Sequence, residues 1–210
     1  MIENIYKFII GVDFDNTIIS YDDLLYKVAE ERGISVPYMV SKKAIRDYIR
    51  QTPNGEIEWQ RLQAIVYGPR IGEAKLIEGV GDFLKLCKLN KIKVYIISHK
   101  SVYAVQDKQD VNLRNAAIQW MAVNHFFGDD GLGLDLNSIC FGATRADKIQ
   151  LIKKLGCTYF IDDLEETFLE QCFPSDIQGI LYSPSSLHHN LINVKVMTNW
   201  REISDYFSPV

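Results

Sequence analysis

The sequence has little of what marks a disulfide-stapled or zinc-binding protein. Its four cysteines, Cys87, Cys140, Cys157 and Cys172, are widely spaced and include no Cys-x-x-Cys pair. Structural zinc sites and disulfide frameworks usually show close or regular cysteine spacing. We therefore expect free thiols that are mostly buried, because free cysteine behaves as a small apolar residue.

Concentrated positive charge is also missing. The chain has 23 Lys and Arg against 27 Asp and Glu, which gives a formal net charge of −4 at pH 7. No block of basic residues offers the footprint that a nucleic-acid backbone attracts. The composition therefore disfavours DNA or RNA as a main partner.

Long apolar runs are absent near the start of the chain. The longest there covers residues 8–12 and leads directly into Asp13. A secretory signal core or a membrane-spanning helix needs a longer run, of about 20 residues for the helix. We therefore expect a cytoplasmic protein without a membrane partner.

What the chain does have is enough apolar content, 47% of 210 residues, for one substantial core and a small accessory subdomain. Short runs rich in β-branched and aromatic residues indicate buried strands. These runs are residues 6–12, 93–97, 158–161 and 177–182, with a weaker one at 138–141. Helical periodicity at residues 80–87 and 149–155 lies between them. This alternation predicts an α/β fold with a doubly wound parallel sheet.

One segment interrupts the alternation of strands and helices. Residues 21–76 contain three helix-like pieces and no convincing strand, with a turn at Pro53-Asn54-Gly55. We interpret the segment as a small helical cap inserted after the first strand. The predicted domains are a core of residues 1–20 and 77–210 and a cap of residues 21–76.

The residues just after the predicted strands carry chemical groups. Ligands of open parallel sheets bind outside the carboxyl ends of the strands. The polar residues at those positions are Asp13, Asp15, Ser98, His99, Lys100, Asp162 and Asp163. Two carboxylates two residues apart at one strand end can face the same crevice, where one can attack while the other moves protons.

In these residues the chain resembles the haloacid dehalogenase (HAD) superfamily. Its phosphatases begin with Asp-x-Asp-x-Thr, matched here by Asp13, Asp15 and Thr17. A Ser or Thr closing the next strand is matched by Ser98, and a Lys opening a later helix is matched by Lys148. Acidic residues after a further apolar strand are matched by Asp162 and Asp163, so that the four motifs occur in order over about residues 6–165.

The resemblance implies a magnesium-dependent phosphatase with a HAD-like Rossmannoid core. Asp13 would be the nucleophile that forms an aspartyl-phosphate, and Asp15 would act first as acid and then as base. Phosphate-binding residues would be Thr17, Ser98, His99, Lys100 and Lys148. Magnesium, which prefers oxygen ligands, would bind the carboxylates of Asp13 and Asp162 and the backbone carbonyl of Asp15. Asp163 would order a metal-bound water or a neighbouring loop.

Several features leave alternatives open. Arg145 lies three residues before Lys148 and could take its place as the cation that balances phosphate. Lys100 is a third candidate, which could contact phosphate or only form a salt bridge with a neighbouring side chain. Asn16 stands where many relatives carry glycine, and the acidic pair 162–163 is adjacent rather than spread. These departures leave the subfamily and the substrate unassigned.

Several functions compete with hydrolysis of a small phosphate monoester, such as a sugar phosphate or a nucleotide. A phosphomutase or other phosphotransferase would use the same aspartyl-phosphate. Dehalogenation is disfavoured because Asp15 can protonate a leaving oxygen, a step that the departure of a halide does not need. A non-enzymatic phospho-Asp signalling module of the receiver type is disfavoured by the order of the motifs. A receiver carries an acidic pair after the first strand and its phosphorylated Asp after a later strand, which is not the order in this chain. The predicted partner is a small phosphorylated metabolite, and the sequence does not predict an oligomeric state.

Overall fold

The computed structural model describes residues 8–36, 41–106, 110–185, 191 and 193–208. The strands in these residues are β1 (Ile9–Val12), β2 (Ile19–Ser20), β3 (Lys75–Leu76), β4 (Lys93–His99), β5 (Ile139–Gly142), β6 (Tyr159–Asp162), β7 (Gln178–Tyr182) and β8 (Val194–Met197). The α-helices are α1 (Asp22–Glu31), α2 (Lys42–Arg50), α3 (Gly55–Tyr67), α4 (Val80–Leu89), α5 (Leu113–Val123), α6 (Arg145–Lys154), α7 (Glu165–Leu169) and α8 (Trp200–Phe207). None of these helices has both the length and the apolar character needed to span a bilayer.

The chain forms two compact units. One contains the chain up to Ile18, Ile77–Lys100 and the chain from His125 onward. The other contains Ile19–Leu76 and Ser101–Asn124. We call them the sheet unit and the helical unit.

The sheet unit is built on a six-stranded parallel sheet with strand order β5-β4-β1-β6-β7-β8. The doubly wound α/β prediction is therefore confirmed. Strands predicted at residues 93–97, 138–141, 158–161 and 177–182 correspond to β4, β5, β6 and β7. The first predicted strand is observed as β1, and its residues 6 and 7 lie outside the described residues. The sequence analysis missed β8.

Central β1 has the pattern of a strand covered on both faces. All four of its residues are buried, as expected for a central strand of a parallel sheet. A Cβ on Gly11 would lie 2.6 Å from the Phe160 ring on neighbouring β6, which explains the glycine within an apolar run. The two strands can therefore pack without displacing that ring.

Helices cover both faces of the sheet. On one face, Ile152 of α6 packs in a buried cluster with Ile97 and Phe160. On the other, Phe83 of α4 stacks with rings of α8, Trp200 and Phe207, at centroid distances of 5.0 and 5.9 Å. Burial of such aromatic side chains dominates the energy of a core of this size.

The Ile19–Leu76 part of the helical unit begins and ends in a short two-stranded ribbon. Strands β2 and β3 pair antiparallel, with Ile19 opposite Leu76, which brings the two ends of the insertion together. Helix α2 begins at its N-cap Ser41, whose side chain accepts the Ala44 N–H. The predicted turn between α2 and α3 is present, with Asn54 in the left-handed region at φ 59°.

The segment Ser101–Asn124 groups with the helical unit, whereas the sequence analysis left it in the core. Its helix α5 contacts α3 and the 3₁₀ turn Ile71–Glu73. The indole N–H of Trp120 donates to the carbonyl of Ala74 at 3.1 Å. An amphipathic pattern predicts that a helix is buried on one side but does not identify its neighbour, which explains the difference.

Candidate active site

The predicted site residues lie at the carboxyl ends of adjacent strands of the sheet unit. Asp13 follows β1, Ser98 and His99 close β4, and Asp162 closes β6. Because β4, β1 and β6 are neighbours and parallel, these ends lie side by side. The backbone N–H of Asp13 donates to the Ile161 carbonyl at 2.8 Å, which fixes the chain as it leaves β1.

Lys148 connects two of these strand ends. Its ammonium lies 2.7 Å from Oδ1 of Asp13 and 2.6 Å from Oδ2 of Asp162, and all three side chains are buried. Lysine is almost never buried unless it is paired. The Lys148 assignment from the sequence therefore coincides with the cation that contacts Asp13.

Lys148 lies in the first turns of helix α6, and the N-terminus of this helix is fixed by capping interactions. Thr144 caps the helix and forms a reciprocal capping box with Asp147. A Cβ on Gly142, the last residue of β5, would lie 2.7 Å from the backbone N of Lys148. Glycine at this position lets the first turn of α6 approach the strand end closely.

Arg145, the alternative cation, lies elsewhere. It forms an ion pair with Glu170 at 2.8 Å, and its side chain is 37% exposed. Lys148 is only 2% exposed and lies one helical turn further along. Of the two cations, only Lys148 contacts the strand-end carboxylates.

The carboxylates around Lys148 outnumber its charge. Burial raises the pKa of the Asp13 carboxyl to about 7; Lys148 acts against this shift, and Asp162 and Asp15 add to it. Burial lowers the pKa of the Lys148 ammonium, but the carboxylates of Asp13 and Asp162 more than offset that effect, so its pKa lies above the ordinary value. The Lys148 ammonium thus stays charged, but its single positive charge does not balance the carboxylates around it.

Asp163 also belongs to the cluster. The sequence analysis described it only as a residue that orders a metal-bound water or a neighbouring loop. One oxygen each from Asp13, Asp162 and Asp163 lie within 4.8 Å of one another. The Thr17 hydroxyl accepts the backbone N–H of Asp163 at 3.1 Å and donates to its Oδ1 at 3.3 Å. Oδ1 of Asp162 in turn accepts the N–H of Leu164 at 3.0 Å. Thr17, predicted as a phosphate contact, thus orders Asp163 of the acidic pair.

This donor set fits magnesium. Among the described residues, the carboxyl groups near the strand ends belong to Asp13, Asp15, Asp162 and Asp163, and the ammonium groups belong to Lys100 and Lys148, which leaves a net of two negative charges when all four carboxyl groups are ionised. Magnesium is bound through one or two carboxylates and keeps water or substrate oxygens for its remaining positions. A divalent cation would balance the charge of the cluster.

Lys100 lies against Asp15. Its ammonium is 2.9 Å from both carboxylate oxygens of Asp15, and the residue is 4% exposed. The backbone N–H of Lys100 donates to the Gly142 carbonyl at 3.0 Å. The predicted phosphate contact is therefore an ion-pair partner of the predicted acid and base in this structure.

Ser98 and His99 differ in their surroundings. Ser98 is 1% exposed, and its hydroxyl has no hydrogen-bond partner among the described residues. Buried hydroxyl groups are almost always hydrogen-bonded, so the hydroxyl is available to a ligand at the strand end. His99 is exposed, and no described contact draws it into the cluster.

The backbone explains the departure at Asn16. Its φ of 60° lies in the left-handed region, which glycine adopts freely and asparagine tolerates best among other residues. Asn16 therefore satisfies the conformation for which many relatives of the resembled family use glycine. The departure does not disturb the turn that carries Asp13 and Asp15.

The sequence analysis missed one structural support of the site. The indole N–H of Trp200, in α8, donates to the backbone carbonyl of Thr17 at 3.0 Å, and both residues are buried. The C-terminal helix thus holds the turn between Asp13 and β2. A lone tryptophan 183 residues away along the chain gives no sequence signal for this contact.

Comparison with known proteins gives a consistent picture at the level of the fold. No protein-family model matches the chain, and no curated protein matches it. Among solved structures, a haloacid dehalogenase-like hydrolase from Streptococcus pneumoniae is 16% identical, with a TM-score of 0.59 and coverage of 96% of this chain and 98% of that one. The HAD-hydrolase YfnB from Bacillus subtilis, solved with magnesium, is 11% identical, with a TM-score of 0.57 and coverage of 97% and 100%.

A third similar structure contains an anion. A HAD family hydrolase from Deinococcus radiodurans, solved with bound phosphate and sodium, is 13% identical, with a TM-score of 0.54 and coverage of 96% and 97%. At these identities the likeness concerns the fold, and in that respect the resemblance found in the motifs is confirmed.

Proposed function

We propose that this chain, which has the fold of the HAD-superfamily hydrolases, is a magnesium-dependent phosphatase acting on a small phosphate monoester. The observation that carries the proposal is the buried contact of Lys148 with both Asp13 and Asp162, with Asp163 beside them. The residues proposed as nucleophile, phosphate-balancing cation and metal-binding acidic pair lie together at the carboxyl edge of the sheet.

Asp13, Asp162 and Asp163 are the residues proposed to hold magnesium, with the Asp15 backbone carbonyl added from the resembled motif. When bound, the ion supplies positive charge that offsets the repulsion between the Asp13 carboxylate and the substrate phosphate. Lys148 adds a second positive charge next to the attacking carboxylate. The Ser98 hydroxyl, which has no partner among the described residues, is proposed to bind a phosphoryl oxygen.

The first half-reaction transfers the phosphoryl group to the protein. A carboxylate oxygen of Asp13 attacks phosphorus, and the bond between phosphorus and the ester oxygen breaks. Asp15 gives its proton to the departing oxygen, so that an alcohol leaves and Asp15 becomes a carboxylate. The product is an aspartyl-phosphate on Asp13.

The second half-reaction restores the enzyme. Asp15 takes a proton from a water molecule whose oxygen attacks phosphorus. The bond between phosphorus and Asp13 breaks, inorganic phosphate leaves and Asp15 is protonated again. Splitting the reaction in this way spreads the barrier over two steps.

The substrate class is proposed from the insertion. The part of the helical unit formed by Ile19–Leu76 lies in sequence between β1 and β4, where members of the resembled family carry the segment that selects small substrates. We propose a sugar phosphate or a nucleotide as substrate. Asp15 favours a phosphate ester over an alkyl halide, since a departing oxygen needs a proton and a halide does not.

The test is hydrolysis of p-nitrophenyl phosphate with magnesium and with excess chelator. Activity should require the metal and should fall on the order of 10³-fold or more in Asp13→Asn, which lacks the nucleophile. Asp82→Asn is the matched control, because Asp82 lies on α4 with its side chain 84% exposed. Activity that survives in Asp13→Asn would refute the nucleophile, and an inert wild type on this ester, sugar phosphates and nucleotides would refute the phosphatase.

A further inference from the structure

Lys100 and Asp15 form an ion pair in which one ammonium contacts both carboxylate oxygens. The ammonium lies 2.9 Å from both Oδ1 and Oδ2 of Asp15, so it spans the carboxylate. The Lys100 side chain is 2% exposed and that of Asp15 is 17% exposed. The carboxylate therefore keeps contact with solvent on one side and is held by the lysine on the other.

Lys100 is itself held at both ends. Its backbone N–H donates to the Gly142 carbonyl at 3.0 Å, which ties it to the end of β5. Its ammonium lies 5.6 Å from the centroid of the buried Phe14 ring, within the range of a cation–π contact. A lysine fixed in this way loses little further entropy when it binds a carboxylate.

Two buried lysines thus serve different carboxylates. Lys148 contacts Asp13 and Asp162, whereas Lys100 contacts Asp15. A lysine whose ammonium spans both oxygens of Asp15 is directed at the proton-transferring group rather than at the nucleophile.

We infer that Lys100 is a positioning residue that holds the Asp15 carboxylate for the second half-reaction, an inference that rests on the proposed function. The first half-reaction leaves Asp15 as a carboxylate, and this is the form that an ammonium binds. Lys100 then fixes the direction in which that carboxylate takes a proton from water. Precise placement of a reacting group contributes strongly to rate, so the loss of Lys100 should slow this step.

The test is pre-steady-state hydrolysis of p-nitrophenyl phosphate by Lys100→Met. The leaving group of this substrate, p-nitrophenolate, is a stable anion whose departure depends little on proton donation. The first half-reaction of the variant should therefore proceed at nearly the wild-type rate. We expect steady-state kcat to fall about 10- to 100-fold. In contrast, kcat/KM should stay within about 3-fold of the wild-type value, because it reports only steps up to departure of the leaving group.

Two signals identify the slow step. One p-nitrophenolate per active site should appear in a burst, and intact-protein mass spectrometry should find the phosphorylated form of the variant. Lys93→Met is the matched control: Lys93 begins the same strand, bonds to Ser138 at 3.2 Å and lies at the opposite end from the site. It should show wild-type kcat and no added burst.

Variants of the pair itself complete the design. Asp15→Asn combined with Lys100→Met should be no slower than Asp15→Asn alone, because Lys100 acts through Asp15. If Lys100→Met fails to fold, Lys100→Arg carries the test, since it keeps the charge and should retain a kcat closer to wild type while still giving a burst.

The contrary outcomes are distinct. A raised KM, a proportional fall in kcat/KM and no burst would make Lys100 a phosphate ligand and overturn the inference. Equal falls in kcat and kcat/KM with a lowered melting temperature would indicate a structural role only and would also overturn it. An inert wild type would instead refute the proposed phosphatase, and the inference with it.

Discussion

Replacing Asp13 by Asn should stabilise the metal-free protein, and the stabilisation should grow with pH. Asp13 is 4% exposed and shares the single ammonium of Lys148 with Asp162. Ionising Asp13 in this surrounding is unfavourable, and Asn has a similar shape without the charge. The substitution that removes the proposed nucleophile should thus relieve an electrostatic cost of the fold.

The magnitude follows from the pKa. Burial raises the pKa of Asp13 from 3.8 to about 7, so the folded protein binds this proton more tightly than the unfolded chain does. Between these values the unfolding free energy of the wild type falls as pH rises, by about 1.4 kcal/mol per pH unit. The free energy of unfolding of Asp13→Asn should therefore gain about 3 kcal/mol relative to that of the wild type between about pH 5 and about pH 8. Above that range the difference should stay constant.

Urea unfolding of both proteins in excess chelator, followed by circular dichroism, measures this difference at each pH. Asp82→Asn again serves as the control, and its difference from wild type should stay flat because Asp82 is exposed. Added magnesium should raise the midpoint of the wild type more than that of Asp13→Asn. A difference between wild type and Asp13→Asn that is flat, or that narrows as pH rises, would refute the assignment of a buried and underbalanced carboxylate.

Three further changes test local features. Asn16→Gly should keep activity, whereas Asn16→Val should lower the unfolding free energy by about 1–2 kcal/mol because a β-branched residue resists positive φ; urea titration compares them. Trp200→Phe and Trp120→Phe each remove one buried indole hydrogen bond, but only Trp200→Phe should weaken magnesium-dependent activity in the phosphatase assay. Burial raises the pKa of the Cys87 and Cys157 thiols to about 12, so alkylation followed by peptide mass spectrometry should label them later than the two half-buried cysteines.

The sheet could be predicted because its central strands carry their own signal. The residues of β1 are buried on both faces and therefore form a continuous apolar run, and the same holds for most of β4. A short strand near the end of the chain has no such signal. Two of the four residues of β8, Lys195 and Val196, are exposed, which breaks the apolar run that marks a buried strand.

Contacts between distant segments could not be predicted. The sequence gives Lys100 as a charged residue after a strand, and such a residue can face phosphate or another side chain. Only the register of β4 against β5, which pairs His99 with Gly142, sets the backbone of Lys100 at the level where its ammonium reaches Asp15. The same limit applies to Trp200, whose contact with Thr17 depends on how α8 packs against the sheet.

The ambiguity between Arg145 and Lys148 shows where helical spacing stops being informative. Residues three apart lie on the same side of a helix, so a sequence pattern assigns both to the face that meets the strand ends. What separates them is depth: Arg145 is the first residue of α6 and pairs with Glu170 near solvent, while Lys148 lies one turn further in. Gly142 has no side chain and admits the backbone of that turn. The glycine on the neighbouring strand thus allows the close approach of the turn that carries Lys148, a feature that the charge pattern of the helix does not reveal.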